Sequence, residues 1–492
     1  MRDLTPDQYE ELWQSGEQER EAIALRRRYY DGVHDIAGRD QQYVDGTQKT
    51  NIVTNFIKFG VDLFTGSIAG TPYNVSAIET TETEEDGEEV KNESPAVYRE
   101  ISTDNSLSSK DIEHLRNALI GGWGIELHEF VDDKVLITAR DPLNWLPVWN
   151  SDGLLIGAIF RADLEPGAFM VDQLVDEKLE IMVVYTDAQI ITYHKQKSVM
   201  SGDWVEQERI NHMYGQPPVV VFQTNESRTS LIGSDLLGQQ DEYNEIDSLS
   251  GDDIRYDSDG VLTISGYSAK NIQDNADIIR KKKLIPLPAD GSAEFLEKPT
   301  DFARVIARLT RTRKHIFSAM AVPDIEEITG ATGQTSGIAL QLKFKPMRDN
   351  AQYMIANIRD GVRKRIELIN VRLAQVSGTE QIDDVQVNID FDLPANRIEE
   401  WKSVKDLTGI VSARKQLEVL SDVEDPDQEE RRMGVEAEDS RFIDSTSGTP
   451  EEVQAVNDAE VSARAIEIQP QIGVIIDSIS DAVAAETLKR LP

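Results

Sequence analysis

The chain has no cysteine among its 492 residues. Disulfides, thiolate metal sites and a cysteine nucleophile are thereby excluded. Histidine is scarce: the six residues are scattered, with neither an HExxH pattern nor paired spacing, so no metal site is expected. No run of about 18 apolar residues occurs, so no membrane-spanning helix is expected. The nucleotide-binding patterns GxGxxG and GxxxxGK[ST] are missing, as is the GxSxG elbow of a serine hydrolase. Positive charge is also short. Lys and Arg total 51 against 89 Asp and Glu, a net charge of -38. A surface this acidic repels phosphate over most of its extent, so general nucleic-acid binding is not expected. The same carboxylates keep a chain soluble and suit high salt, where self-repulsion is screened. Plain solubility and a halophilic host both account for them.

What is present points to several structural units. The length implies two to four, and 39% hydrophobic residues are enough for their cores. The opening MRDLTPDQYEELWQ is polar and acidic and does not read as a secretory leader. Residues 1–30 read as one helix, with Thr5 as its cap and Pro6 in its first turn. A second helix follows in NIVTNFIKFGVDLFTGSIAG, where Ile52, Phe56, Phe59, Leu63 and Phe64 form a core stripe. The acid-rich stretch 79–94 reads as a solvated loop, without the spacing of a calcium-binding loop. From about 104 a helix leads into alternating apolar segments that read as antiparallel strands, with TDAQ (186–189) as a hairpin turn. Residues 1 to about 230 thus form an α+β unit.

Beyond 234 come a helix rich in acids, a short β-like piece (GVLTISGY), a basic run, and a helix from about 300 that Pro323 stops. A long helix from about 336 to 376 should be kinked by Pro346. One more strand, VQVNIDFDLP, precedes an acidic helical tail.

Three features invite a functional reading. Arg304, Arg308, Arg311 and His315 recur at helical spacing and share one face. They either pair with acids such as Asp241, Glu245 and Asp253 or present a cationic face to a polyanion. Arg280, Lys281, Lys282 and Lys283 form a second basic patch, which is either an exposed loop or a contact with nucleic acid or an acidic partner. The loop GATGQTSG lacks the lysine of a phosphate cradle and does not follow a strand. Its residues Thr329, Gly330, Thr332, Gly333, Gln334, Thr335 and Ser336 are small, uncharged hydrogen-bonding groups, and Ser336 is placed to cap the long helix. Trp145 and Trp149 suit a core or interface better than a carbohydrate platform. No catalytic residue or cofactor is expected, so an enzyme such as a nucleotide-dependent hydrolase has no site to work with.

Several stretches, taken in order, resemble the SPP1-type portal proteins of tailed double-stranded DNA viruses. They are RRRYYDGVHDI, KTNIVTNFIKFGVDLFTGSIAGTPYNV, YGQPPVVVFQTNESRTSLIGSDLLGQQDEYNEIDSLSGDDI, TSGIALQLKF and VNIDFDLPANRIEEW. The resemblance implies a portal fold: an α+β wing, long stem helices, a small α/β clip and a helical crown. By order, the wing is 1–233 and 337–395, the stem helices 234–257 and 300–323, the clip 258–299, the tunnel loop 324–336 and the crown region 396–492. It implies a ring, a dodecamer in the virion, at one capsid vertex, through which DNA is packaged, retained and ejected. It implies the large terminase, a head–tail adaptor, the major capsid protein and a scaffold as partners, with no membrane and with assembly in the host cytoplasm. The channel contacts would be the Arg304–His315 stripe and the tunnel loop. A non-channel structural adaptor or head-completion protein is the alternative.

Overall fold

The computed structural model describes residues 1, 4–40, 49–78, 94–131, 134–165, 169–170, 173–174, 178–196, 203–258, 261–265, 290–296, 301–324, 326, 337–375 and 381–391, with isolated positions up to 433. The chain divides into two units, Met1–Leu393 and Pro394–Pro492. The first unit mixes helices with antiparallel strands, as the α+β pattern expects.

Helix α1 (Pro6–Ser15) opens with a capping box: the Thr5 hydroxyl accepts from Gln8 N–H, and the Gln8 side chain accepts from Thr5 N–H. Residues 1–30 form two helices rather than one. The chain breaks at Gly16, the cap between α1 and α2 (Glu17–Tyr30). A side chain at Gly16 would meet Leu146 at 2.6 Å, so close packing on a strand favours glycine at the break. Helix α3 (Phe56–Ala69) leads to β1 (Asn74–Ala77), and α4 (Ser94–Asp104) and α5 (Leu107–Gly121) follow.

Three strands form one sheet in the order β11-β2-β3, with β2 (Trp123–Val131) at its centre, β3 (Lys134–Arg140) on one side and β11 (Val219–Gln223) on the other. Five strands form a second: β4 (Trp145–Trp149), β5 (Leu155–Leu164), β8 (Leu179–Tyr185), β9 (Gln189–Gln196) and β10 (Val205–Asn211), in the order β10-β9-β8-β5-β4. A short pair, β6 (Phe169–Met170) with β7 (Gln173–Leu174), lies between β5 and β8 in sequence. The TDAQ turn joins β8 to β9 as expected, Tyr185 pairing with Ile190. Trp145 is buried in the core, stacked on Tyr185 at 5.1 Å.

A helical hairpin extends from this body. Helix α6 (Ser234–Ser258) runs out to β12 (Val261–Ile264), which pairs with β13 (Ala293–Leu296), and α7 (Phe302–Ala319) returns. Helix α8 (Gly337–Leu373) then crosses the core. It continues through the exposed Pro346, flanked by the buried Phe344 and Met347. The chain ends its described course in β14 (Val385–Asn388), which pairs antiparallel with β1.

Candidate nucleic-acid interface

Helix α7 is built for two environments. Asp301 caps it, its carboxylate accepting from Arg304 N–H at 3.1 Å. Thr312, Ile316, Phe317 and Met320 are buried along one side. Phe317 meets Phe56 and Phe59 of α3 edge-on at 5.4 and 5.8 Å. Met320 lies over Gly60, where any side chain would overlap its sulfur. At the far end of α7, Ala321 takes φ +56° and turns the chain sharply, Val322 N–H bonding Phe317 O at 3.0 Å.

The opposite side is cationic. Arg304, Arg308, Arg311 and His315 are all exposed, as the sequence spacing implies. The structure brings these four onto one face. Arg308 alone among them has a charged side-chain partner within the described residues, donating from Nε to Glu242 of α6 at 3.0 Å. The acids expected from sequence are not its partners: Asp241 instead accepts from the Tyr29 hydroxyl at 2.7 Å. Burial raises the Asp241 carboxyl above its ordinary range, and the Tyr29 bond partly offsets this. Arg313 faces away from the stripe and anchors the following turn, bonding Asp324 at 2.7 Å and also Glu326. Burial alone would lower its pKa; the two carboxylates more than compensate and hold it above the usual value. The clip patch Arg280, Lys281, Lys282 and Lys283 and the loop Thr329–Ser336 lie outside the described residues.

Two polar constructions escaped the sequence reading: one fastens the hairpin, the other ties α8 to α5 and β2. The first is a ladder on α6. Gln240, Asn244, Ser248 and Asp252 recur every fourth residue and are buried on one face. They receive alternate backbone N–H groups of an extended segment: Phe56 on Gln240 (3.1 Å), Thr54 on Asn244 (3.0 Å), Ile52 on Ser248 (2.9 Å) and Thr50 on Asp252 (2.6 Å). Four helical residues rise about 6.0 Å and two extended residues about 6.6 Å, so the two repeats stay in step over these rungs. Arg39 closes the end, reaching Asp252 at 3.0 Å and Thr50 O at 2.7 Å. His34 accepts or donates between Asn244 (2.7 Å) and Tyr29 O (2.9 Å), and burial holds its pKa down. Polar residues at a strict four-residue interval were the signal available in the sequence.

The second is a buried charge cluster under α8. Arg365, fully buried, donates to Glu126 from Nε (3.0 Å) and Nη2 (2.7 Å), and to Asp111 from Nη2 (2.6 Å). Glu126 also contacts His114 Nε2 (3.0 Å) and His128 Nε2 (2.8 Å). Burial would raise the Glu126 carboxyl, but Arg365 and the two imidazoles overcome it and keep it well below the ordinary range. Asp111 moves the other way: burial raises it more than Arg365 lowers it. The same cation thus pulls both carboxyls down, outweighing burial at Glu126 but not at Asp111.

These geometries suit a fixed scaffold that presents a cationic face on α7. Among the described residues no group of His, Asp and Glu is arranged to hold a metal ion. No helix among them is long and apolar enough to cross a membrane.

Residues 9–441 match the family described as phage portal protein, SPP1 Gp6-like. No curated relative matches. Two solved structures are similar to the chain. One is titled as the neck of an empty GTA particle computed with C6 symmetry, at 10% identity and a TM-score of 0.43. The other is titled as the neck of a native GTA particle computed with C12 symmetry, at 11% identity and a TM-score of 0.45. Each covers 74% of this chain and 89% of the other.

Proposed function

The chain belongs to the SPP1 Gp6-like phage portal protein family, and from that premise we propose that its copies form a ring at one capsid vertex, with double-stranded DNA passing through the bore. Packaging by the large terminase, retention and ejection use this passage, and the ring docks the head–tail adaptor. Its wing, stem, clip, tunnel loop and crown follow the order set out from sequence, with α6 and α7 as the stem. The protein is structural, and the motor chemistry belongs to its partner.

The observation that carries this reading is the contrast between α7 and the acidic α6 beside it. In a protein of net charge -38, α7 holds five Arg and Lys residues and no acid. Its exposed stripe is a surface on which phosphate meets cations and no acid of the same helix. Arg304, Arg311 and His315 are free to meet a backbone, and Arg308 is shared with Glu242. Sparse cations suit a conduit. Each phosphate contact adds affinity and salt dependence, so a densely basic wall would hold DNA that has to slide. Contacts to phosphate also carry no sequence information, as a conduit for a whole genome requires. The small polar side chains of the tunnel loop fit the same role.

The test is Arg304→Ala with Arg311→Ala. Electron microscopy should still find rings with an axial hole, while packaged or retained DNA falls at least tenfold. Wild-type particles of one or two chains would remove the ring. Unchanged DNA retention in the double variant would remove the stripe from the channel wall.

A further inference from the structure

The stem hairpin has two uncovered flanks, and their positions are set by what lies between them. On α6 the ladder face holds the extended segment 50–56, while the roughly opposite side meets α7 through Glu242 and Arg308. Segment, α6 and α7 therefore lie side by side as a slab. On α7, Val305, Leu309, Thr312 and Ile316 are buried or half-buried on the side nearest Arg308 and α6. Ala303, Ile306, Ala307 and Thr310 occupy the far flank, and all four are exposed. Ile306 is 63% exposed, although it continues the apolar side that Phe317 and Met320 bury nearer the core. At the other edge of the slab Val53, between two ladder rungs, is 36% exposed. Since Arg308 stands level with Glu242, and Thr54 with Asn244, Ile306 and Val53 lie at about the same height along the hairpin.

We propose that these two flanks are the two halves of one seam: the Ile306 flank of α7 packs on the Val53 flank of a second copy of this chain. The contact is head-to-tail, so repetition builds a ring where the turn per copy closes, never a symmetric pair. The occupant follows from charge. Helix α7 carries five cations and no acid, whereas α6 carries eight acids and one arginine. Setting α7 of one copy beside the segment-covered α6 of the next alternates sign around the ring, within a screening length. The small Ala303 and Ala307 let that neighbour approach closely. The basic stripe lies between the α6 side and the seam, which leaves it facing the bore. The inference rests on the portal reading and names the surface that builds the ring.

The test uses Ile306→Asp and Val53→Asp in the full chain, with mass photometry for assembly and circular dichroism for folding. Both side chains are exposed, so each variant should melt within a few degrees of wild type. Each should lose at least tenfold of its ring population, while Arg304→Ala with Arg311→Ala, which leaves α7 three cations and no acid, keeps it. Mixing the two Asp variants should give two-chain particles near twice the 55.1 kDa chain mass, because each supplies the flank the other lacks. Rings from either folded Asp variant at wild-type yield would overturn the seam. So would a variant that pairs with itself as readily as with the other. Failure of the portal reading is separable, because wild type itself would then form no ring.

Discussion

Replacing Arg365 by Met keeps most of the side-chain volume and removes one charge from a fully buried site. The loss is large because of what remains. Glu126 and Asp111 keep their positions, bonded to the guanidinium at 2.7 and 2.6 Å in the native protein, and neither can reach water. Breaking a buried ion pair by removing one partner costs about 3–5 kcal/mol, mostly as an uncompensated charge. That is about two to three and a half orders of magnitude in the folding equilibrium of this region. Hydrogen exchange of the α5, β2 and α8 amides reads it directly, since protection factors there should fall by that factor. The pH dependence gives a second readout. In wild type Glu126 has a depressed pKa in the folded state. Its contribution is therefore present above the unfolded carboxyl value and is lost only as pH falls through the lower, folded value. Without Arg365 its chief counter-charge is gone and the folded pKa rises. The variant should then gain relative stability as pH drops from 7 toward 5, the reverse of ordinary acid sensitivity. Neutralising both acids as well, with Glu126→Gln and Asp111→Asn, should recover more than half of the loss. A change in protection of less than about tenfold in Arg365→Met, or no recovery in the triple variant, refutes the assignment of the cost to stranded charge.

Two further outcomes follow from the hairpin's base. Asp252→Ala removes the acceptor of Thr50 N–H and the partner of Arg39, and should cost about 1.5–3 kcal/mol, read as faster exchange at Thr50 and the outer half of α6; unchanged exchange there would dismiss the ladder as a fastening. Gly60→Ala drives a methyl group into Met320 and should destabilise by about 1–3 kcal/mol, with Met320→Ala restoring part of it in the double variant; additive losses in a thermal melt would show that the two positions do not meet.

How much was legible in the sequence depended on whether one side of each element faces water. The Thr5 capping box, the TDAQ hairpin and the basic face of α7 are local or periodic signals, and the structure places them as read. The single helix over 1–30 fails at Gly16, a helix-stop residue present in the sequence, whose lack of a side chain also fits Leu146, 130 positions away. The stripe on α3 was half right. Phe64 is buried, but Ile57, Val61 and Ile68 are buried beside it, while Phe56, Phe59 and Leu63 sit at the margin. A helix apolar nearly all round has no clear preferred side. In β2 the alternation of Trp123, Ile125 and Leu127 with Glu126 and His128 suggests one wet face. Both faces are buried, and the polar one is satisfied by Arg365, 239 positions further along the chain. The α6 ladder hid for a related reason: its acceptors serve backbone groups of a segment whose own side chains give no hint of the match.

That ladder also has a mechanical meaning. A tug directed along the long axis of α6 strains every rung between Gln240 and Asp252 simultaneously, as in a lap joint under shear, whereas a pull across the helix opens the rungs singly, like a zipper. Slippage by one notch would break all of them together before any new set could form. The hairpin's base is thus stiff along α6 and compliant across it.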